Sequence, residues 1–133
     1  MWIQIPFFCG HYAECWEPGN LWALEKAKQN LVQNYFLVGV TEELEDFIEM
    51  LEWSLPSMFH GAVKHYQTSD KSHLRRTIRK DSLSESTIEQ IQKSPIWKME
   101  NELYEFALEQ FHFVRKRSLI NKQRFTYEKI RPK

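Results

Sequence analysis

The clearest amphipathic pattern in the chain lies between residues 21 and 35, where apolar side chains recur at intervals of three and four residues. The recurring positions are Leu24, Ala27, Leu31 and Tyr35. They share one face of a helix, as expected for an element that packs one side against a core. Asn20 stands directly before this stretch and predicts an N-cap. The pattern therefore predicts an amphipathic helix that begins after Asn20.

The apolar run at residues 35–40 shows no polar alternation and predicts a strand that is buried on both faces. A second amphipathic helix is predicted after it, with Thr41 as its cap and Pro56 as its stop. Its apolar stripe comprises Leu44, Phe47, Ile48, Leu51 and Leu55. Helix, buried strand and helix in succession are typical of a parallel α/β sheet, so residues 35–55 are interpreted as a strand–helix unit. One strand cannot form a sheet, which indicates that the chain is part of a larger fold.

The remaining patterns are shorter or less regular. Residues 2–10 are apolar and broken by Pro6, which predicts a packed loop or a short edge strand. Residues 64–82 show no period and predict a long loop, and a capping box at residues 86–89 predicts a short helix. A long helix is predicted over 95–117, opened by Pro95. Its stripe comprises Ile96, Met99, Leu103, Phe106, Ala107, Gln110 and Val114. Phe125 and Tyr127 lie at strand spacing and predict a short strand within the tail 118–133.

The charged residues divide the chain into an acidic first half and a basic second half, which the hydrophobic pattern does not show. The chain has 18 basic and 18 acidic residues, so its formal net charge is zero. Residues 1–63 nevertheless carry a net charge of −7 and residues 64–133 a net charge of +7. The positive charge is concentrated in 64–80, at +5, and in 115–133, at +7. Such asymmetry indicates an anionic partner for the second half.

Composition excludes several classes of protein. A hydrophobic content of 42% with 14% aromatics is too apolar for a disordered chain. No uncharged run exceeds the 13 residues of 1–13, which is shorter than the roughly 20 residues of a membrane-spanning helix. No basic region precedes the apolar start of the chain, so no signal peptide is expected. Residues 1–133 are themselves expected to make no membrane contact.

The basic loop at 64–82 carries the most suggestive chemistry. Its guanidinium and ammonium groups alternate with hydroxyl groups, a combination that suits phosphate or sulfate. The alternatives are a solvated surface run and a nucleic-acid contact, and the lack of a basic recognition helix disfavours the latter. The histidines show no metal-ligand spacing, the glycines form no phosphate loop, and the carboxylates of 42–49 are interpreted as a solvated helix face. No metal site is expected, and spacing identifies no catalytic residue.

Cys9 and Cys15 enclose a tight loop at 9–15. Spacing alone leaves two interpretations open, namely two unrelated buried thiols, or a local disulfide if the chain folds in an oxidising compartment.

Long strings of this sequence resemble the heparan sulfate 2-O-sulfotransferase family. The similar segments are residues 3–11, 14–16, 35–47, 71–75, 96–102, 104–111 and 127–130. The related uronyl 2-O-sulfotransferases of chondroitin and dermatan sulfate share the strand–helix region but fit less well around residues 98–111. The resemblance covers essentially the whole chain in order, and the heparan sulfate enzymes are the first choice.

The resemblance implies an α/β fold. Residues 1–133 would be the C-terminal part of a single P-loop-type sulfotransferase domain, mostly helical with one buried parallel strand and a short terminal strand. The implied enzyme is a membrane protein of the Golgi apparatus that takes part in glycosaminoglycan biosynthesis. It transfers sulfate from 3′-phosphoadenosine 5′-phosphosulfate (PAPS) to the 2-hydroxyl of a uronic acid, mainly iduronate, in heparan sulfate. The implied assembly is a homo-oligomer, a trimer, without nucleic acid.

Individual roles follow from the same resemblance. The donor-site residues it implies are Tyr66, Ser72, Thr77 and Lys80. It implies contacts of Arg75 and Lys129 with the polysaccharide, and a disulfide between Cys9 and Cys15. The family's phosphosulfate loop, catalytic base and membrane anchor lie N-terminal to the matched part, so no catalytic residue is assigned. The chain is interpreted as a truncated gene model, an alternative product or a fragment, inactive alone. The alternative is a non-catalytic module that binds glycosaminoglycans or other anions.

Overall fold

The computed structural model describes residues 2–70 and 82–130, with side chains described up to residue 121. Within these segments the chain is mostly helical and forms no β-strand. The helices are α1 (Gln4–Cys9), α2 (Leu21–Gln33), α3 (Leu44–Ser54), α4 (Pro56–Phe59), α5 (Ala62–Thr68), α6 (Glu85–Lys93) and α7 (Pro95–Ile130). Short 3-10 turns at Ala13–Trp16 and Thr41–Glu43 complete the regular structure. None of the described helices is both long enough and apolar enough to cross a bilayer.

Helix α2 confirms the strongest prediction. The side chain of Asn20 accepts hydrogen bonds from the backbone N–H groups of Trp22, at 2.9 Å, and Ala23, at 3.3 Å. These are two of the donors that a helix leaves unpaired at its start. The stripe positions Leu24, Ala27 and Leu31 are buried, whereas Tyr35 lies beyond the helix end and is exposed.

Residues 4–9 form helix α1, so the prediction of a loop or edge strand there is wrong. The carboxylate of Glu100 on α7 accepts hydrogen bonds from the backbone N–H groups at the start of α1, including that of Ile3 at 2.8 Å. The amide of Asn30 donates to the carbonyl oxygens of Phe8 and Cys9 at the other end. Pro6 lies in the first turn, where its missing N–H removes no helical bond. Side chains from distant segments thus stabilise a helix that the local sequence does not indicate.

Helices α1, α2 and α7 enclose the main core, and the predicted disulfide between Cys9 and Cys15 is formed at its edge. The buried cluster consists of Ile5, Cys9, Cys15, Ala23, Leu24, Ala27, Leu31, Met99, Leu103 and Ala107. The indole N–H of Trp2 donates to the carbonyl oxygen of Cys15 at 2.9 Å. Helix α7 begins at Pro95 as predicted, and the predicted stripe is buried at Met99, Leu103 and Ala107. The stripe is wrong at its C-terminal end, because Phe111 is buried there whereas Val114 is exposed.

Residues 35–40 do not form the predicted buried strand. No hydrogen bond joins the backbone of residues 35–39 to another described segment. Phe36 is 69% exposed, whereas Val40 is buried. A strand needs a neighbour for its N–H and C=O groups, and the described residues supply none. The prediction of a strand buried on both faces is therefore wrong for this chain.

Helices α3, α4 and α5 form a second packed unit, and it differs from its prediction in three respects. Thr41 does not cap α3, because it lies in the 3-10 turn and its hydroxyl donates a hydrogen bond to the carboxylate of Glu42. Pro56 ends α3 but starts α4. The side chains of the predicted stripe are only half-buried, and the buried residue of α3 is Met50, which the stripe did not include.

Three predicted boundaries in the second half are also wrong. Residues 64–68 belong to α5 rather than to the predicted loop 64–82, whose residues 71–81 lie outside the described part of the chain. The N-cap of α6 is Ser84, two residues before the predicted position. Helix α7 continues past residue 117 to Ile130, so the predicted terminal strand is not formed. Residues 96–130 contain no Gly or Pro to stop a helix, and a helix pairs its own backbone whereas an isolated strand cannot.

Candidate functional site

The residues predicted for ligand binding are only partly described by the structure. Tyr66 lies on α5, near its C-terminal end, and is half-buried. Ser72, Arg75, Thr77 and Lys80 lie outside the described residues. Lys129 lies in the last turn of α7, where only the backbone is described. The structure therefore locates Tyr66 and the backbone of Lys129, and it leaves the proposed donor site as a prediction.

Helix α5 is held in place by a carboxylate of α3. Glu52 accepts hydrogen bonds from the backbone N–H groups of Gly61 and Val63, each at 2.9 Å. Gly61 has a φ of 82°, a left-handed conformation that glycine adopts without steric cost. These contacts fix the direction of α5 and hence the position of Tyr66, which precedes residues 71–80 in the sequence.

The acidic residues of 42–49 are not a purely solvated face, and that interpretation needs correction. Both carboxylate oxygens of Glu43 lie within hydrogen-bond distance of His112 Nε2 on α7, at 2.8 and 2.9 Å. The guanidinium of Arg115 donates to Asp46 at 2.7 Å and lies 3.7 Å from Glu49. We call these five residues the α3–α7 clasp. One consequence is that Arg115, counted above among the tail cations, is already paired within the chain.

A groove runs along α7 between the start of α1 and the 3-10 turn that precedes α3. Its first hollow has a volume of about 530 Å³. The main lining residues of this hollow are Ile3, Gln4, Ile91, Trp97, Asn101 and Tyr104. A second hollow of about 330 Å³ shares Gln4 and Tyr104 with the first and reaches Thr41 and Glu42. The two hollows adjoin at Gln4 and Tyr104, and we call them together the α7 groove.

The polar groups of the α7 groove are acidic or neutral. The hydroxyl of Tyr104 hydrogen-bonds to Glu42, and desolvation together with the charges of Glu42 and Glu43 raises the pKa of Tyr104. Glu100 lines the groove while its carboxylate caps α1. Within the described part of the chain, neither hollow is lined by Lys, Arg or His. The groove therefore disfavours sulfate and carboxylate groups and suits an uncharged ligand.

The spacing of three residues on α7 is a sequence signal for this groove that the hydrophobic stripe does not include. Trp97, Asn101 and Tyr104 are spaced by four and three residues, so they share a face of α7 beside the buried stripe. An aromatic and amide face of this kind is easily overlooked next to a strong hydrophobic stripe. Among the described residues, no three His, Cys, Asp or Glu side chains come together as a possible metal site.

Comparison with known proteins gives a consistent result. A family profile described as "Sulfotransferase family" matches residues 1–107. The chain is 62% identical over 137 residues to "Heparin sulfate O-sulfotransferase" of Drosophila melanogaster. Over 141 residues it is 58% identical to "Heparan sulfate 2-O-sulfotransferase 1" of Gallus gallus and 56% identical to the Homo sapiens protein of that name. Each alignment covers 100% of this chain but only 39–40% of the relative, so the chain spans well under half the length of the curated relatives it matches.

Proposed function

The chain belongs to the sulfotransferase family, and from this premise we propose that it is part of a heparan sulfate 2-O-sulfotransferase. The enzyme transfers sulfate to the 2-hydroxyl of a uronic acid, mainly iduronate. The observation that carries the proposal is the identity of 56–62% along the entire chain to proteins named for this activity. Chondroitin and dermatan sulfate are the second substrate class, and a panel of acceptors separates them from heparan sulfate.

The proposed sulfate donor is PAPS. Its adenosine bisphosphate part presents an aromatic base and two anionic groups, and the chain offers matching chemistry in sequence order. A half-buried tyrosine, Tyr66, leads into a segment that supplies Ser72, Thr77 and Lys80. Hydroxyl and ammonium groups are suitable donors to phosphate oxygens. The N-terminus of α5 itself holds no phosphate, because Glu52 already accepts its N–H groups.

The proposed acceptor contacts are cationic. Arg75 would bind a sulfate or carboxylate of the polysaccharide through its guanidinium fork. Lys129 and the other cations of the tail would attract the chain through longer-range charge. The net charge of +7 on residues 64–133 supports a polyanionic partner.

The architecture we propose for the complete enzyme is an α/β sheet of the P-loop type. The unpaired backbone of residues 35–39 supports this, because strands contributed by the rest of a longer protein would satisfy those groups. We also propose a Golgi location and a trimeric assembly for that protein. The 133 residues contain no Gly-rich phosphate loop. The chain alone is accordingly proposed to bind ligands without catalysing sulfate transfer.

Calorimetry with adenosine 3′,5′-bisphosphate tests the donor site. Saturable binding by this chain is expected, with losses of about tenfold in Ser72→Ala and Lys80→Ala, which corresponds to about 1.4 kcal/mol. Lys26→Ala, a change at a half-buried lysine of α2, is the matched control and should leave the affinity unchanged. Binding that is equal in all variants would contradict the site. Turnover of labelled PAPS onto desulfated heparin by this chain would contradict its proposed inactivity.

A further inference from the structure

Helix α5 is short, and its own residues do little to hold it in place. None of its seven residues is buried, and its N-cap, Gly61, has no side chain that could accept the first N–H groups of the helix. A helix of this length is unstable by itself in water. The direction of α5 therefore depends on α3, the helix against which it mainly packs within the described residues.

Two carboxylates of α3 contact opposite ends of α5. At the start of α5, Glu52 accepts hydrogen bonds from the N–H groups of Gly61 and Val63, one on each of its oxygens and each at 2.9 Å. Near the end of α5, the amide of Gln67 donates to Glu45 at 2.7 Å. Glu45 and Glu52 are seven residues apart, so they share one face of α3. Together they fix α5 antiparallel to α3 and set its position along that helix.

The contacts of Glu52 are the stronger of the two. Its carboxylate is half-buried and binds backbone N–H groups, whereas Glu45 is exposed and binds the end of a side chain. Hydrogen bonds to a charged acceptor are stronger than neutral ones, and removal of this acceptor would leave two N–H groups unpaired. The clasp ties α3 to α7, so Glu52 connects α5 to the main scaffold.

The location of Tyr66 depends on this arrangement. Tyr66 lies three residues after Val63 and directly before Gln67, between the two ends of α5 that α3 contacts. Because α5 has no buried side chain to fix its rotation, loss of the Glu52 contacts would allow the helix to turn or shift. Such a movement would displace the Tyr66 side chain while leaving the apolar core of α1, α2 and α7 intact.

We propose that Glu52 is a positioning residue for the sulfate donor, and that it sets donor affinity by orienting Tyr66 through α5. The inference rests on the proposed function, because it takes Tyr66 to contact the adenosine bisphosphate part of the donor. Its consequence is that a substitution on α3, outside the proposed donor site, weakens donor binding. Removal of a negative charge would by itself favour an anionic ligand, so a loss of affinity in a Glu52 variant would not be an effect of charge.

Calorimetry with adenosine 3′,5′-bisphosphate and urea denaturation of the same variants test this role. Glu52→Ala should weaken binding by about tenfold. Glu52→Gln keeps one of the two acceptor oxygens and should lose only about threefold. Leu51→Ala, at the neighbouring position of α3, is the control for stability and should keep the wild-type affinity while lowering the free energy of unfolding. Glu89→Ala, a change at an exposed carboxylate of α6, should alter neither quantity.

A double-mutant cycle tests whether Glu52 acts through Tyr66. Tyr66→Ala alone should weaken binding by about tenfold, and the addition of Glu52→Ala should then weaken it by less than about twofold. Wild-type affinity in Glu52→Ala, additive losses in the cycle, or an equal loss in Leu51→Ala would each overturn the inference. If Ser72→Ala weakens binding and Glu52→Ala does not, the donor site stands and only the positioning role is lost. Absence of binding by the wild type would remove the donor site and the inference with it.

Discussion

The two packed units of this chain are stabilised by different forces. Helices α1, α2 and α7 bury an apolar cluster, close it with the Cys9–Cys15 disulfide and satisfy the ends of α1 with Glu100 and Asn30. Helices α3 to α5 bury little, and they are tied to α7 by the clasp and by the contact between Phe47 and Phe111, whose ring centroids are 6.3 Å apart. The first unit depends on burial of apolar surface, the second on polar contacts.

This difference bears on where binding residues can lie. Apolar burial involves no charge and is not screened by salt, whereas exposed ion pairs contribute little free energy and weaken with ionic strength. Of the proposed donor residues, Tyr66 lies in the second unit and the others follow it in sequence. The α7 groove lies where the two units meet, at Tyr104 and Glu42. The apolar unit therefore provides the scaffold, and the second unit leads into the segment that we propose to bind the donor.

Truncation in the main core should have the largest effect. Leu103 is 1% exposed and contacts the shared core of α1, α2 and α7. Leu103→Ala should lower the free energy of unfolding by about 3 kcal/mol, through lost burial and a residual cavity. The matched control is Leu51→Ala on the half-buried stripe of α3, which should cost about 1 kcal/mol. Urea denaturation measures both, and equal losses would remove the distinction between the two units.

Loss of the disulfide should have the next largest effect. Cys9 and Cys15 close a short loop at the edge of the core. The double change Cys9→Ser with Cys15→Ser should lower the melting temperature and reduce the free energy of unfolding by about 2 kcal/mol, because the unfolded chain gains freedom. Differential scanning calorimetry under oxidising conditions measures this. Addition of a reductant should destabilise the wild type but leave the double variant unchanged, and equal sensitivity in both proteins would argue against the bond.

Disruption of the clasp should have a smaller, salt-dependent effect. Asp46→Asn should reduce the free energy of unfolding by no more than about 1 kcal/mol, because Arg115 and Asp46 are each about one-third exposed. A double-mutant cycle with Arg115→Gln isolates the pair energy, which should decline as salt is raised. A coupling energy that does not change with salt would show that the clasp is not held by charge.

Deprotonation of Lys28 should have the smallest effect on the free energy of unfolding. Partial burial alone would lower the pKa of Lys28, but hydrogen bonds to Glu102 and Glu25 and the charges of both outweigh it and raise the pKa. The ion pair links α2 to α7. A pKa that is higher in the folded state gives stability that is present below the unfolded value of about 10.5 and is lost as pH rises through the folded value. The difference in stability between wild type and Lys28→Met should therefore shrink above pH 10.5, and a difference independent of pH would contradict the assignment.

Periodicity predicted the helices that have a local cap or a regular apolar stripe. Asn20, the stripe of α2 and the start of α7 at Pro95 were all evident, because capping groups and apolar spacing act within a few residues. The disulfide pairing followed from the family resemblance and is confirmed. The prediction for residues 2–10 was wrong for a different reason, which is dependence on a distant residue. Helix α1 depends on Glu100, which is more than 90 residues away, and no local pattern reports such a partner.

The strand predictions failed because a strand is never a local structure. Residues 35–40 have the composition of a buried strand, yet no other described segment pairs with them as a neighbouring strand. Phe125 and Tyr127 have strand spacing, yet the backbone there continues α7. The candidate site shows the same limit, because the resemblance could assign Tyr66 and Lys80 to a donor but could not indicate the α7 groove.

The sequence by itself determined the membership of the family, the amphipathic helices and the division of charge between the halves, because each depends on residue identity or on spacing within a few turns. Only the tertiary structure decided that Glu100 caps α1, that Arg115 and His112 are paired with carboxylates of 43–49, and that Trp97 and Tyr104 face a groove that no described cation lines. These facts depend on which distant side chains meet. Such meetings are set by the packing of helices against one another, and the spacing of residues along the chain does not specify them.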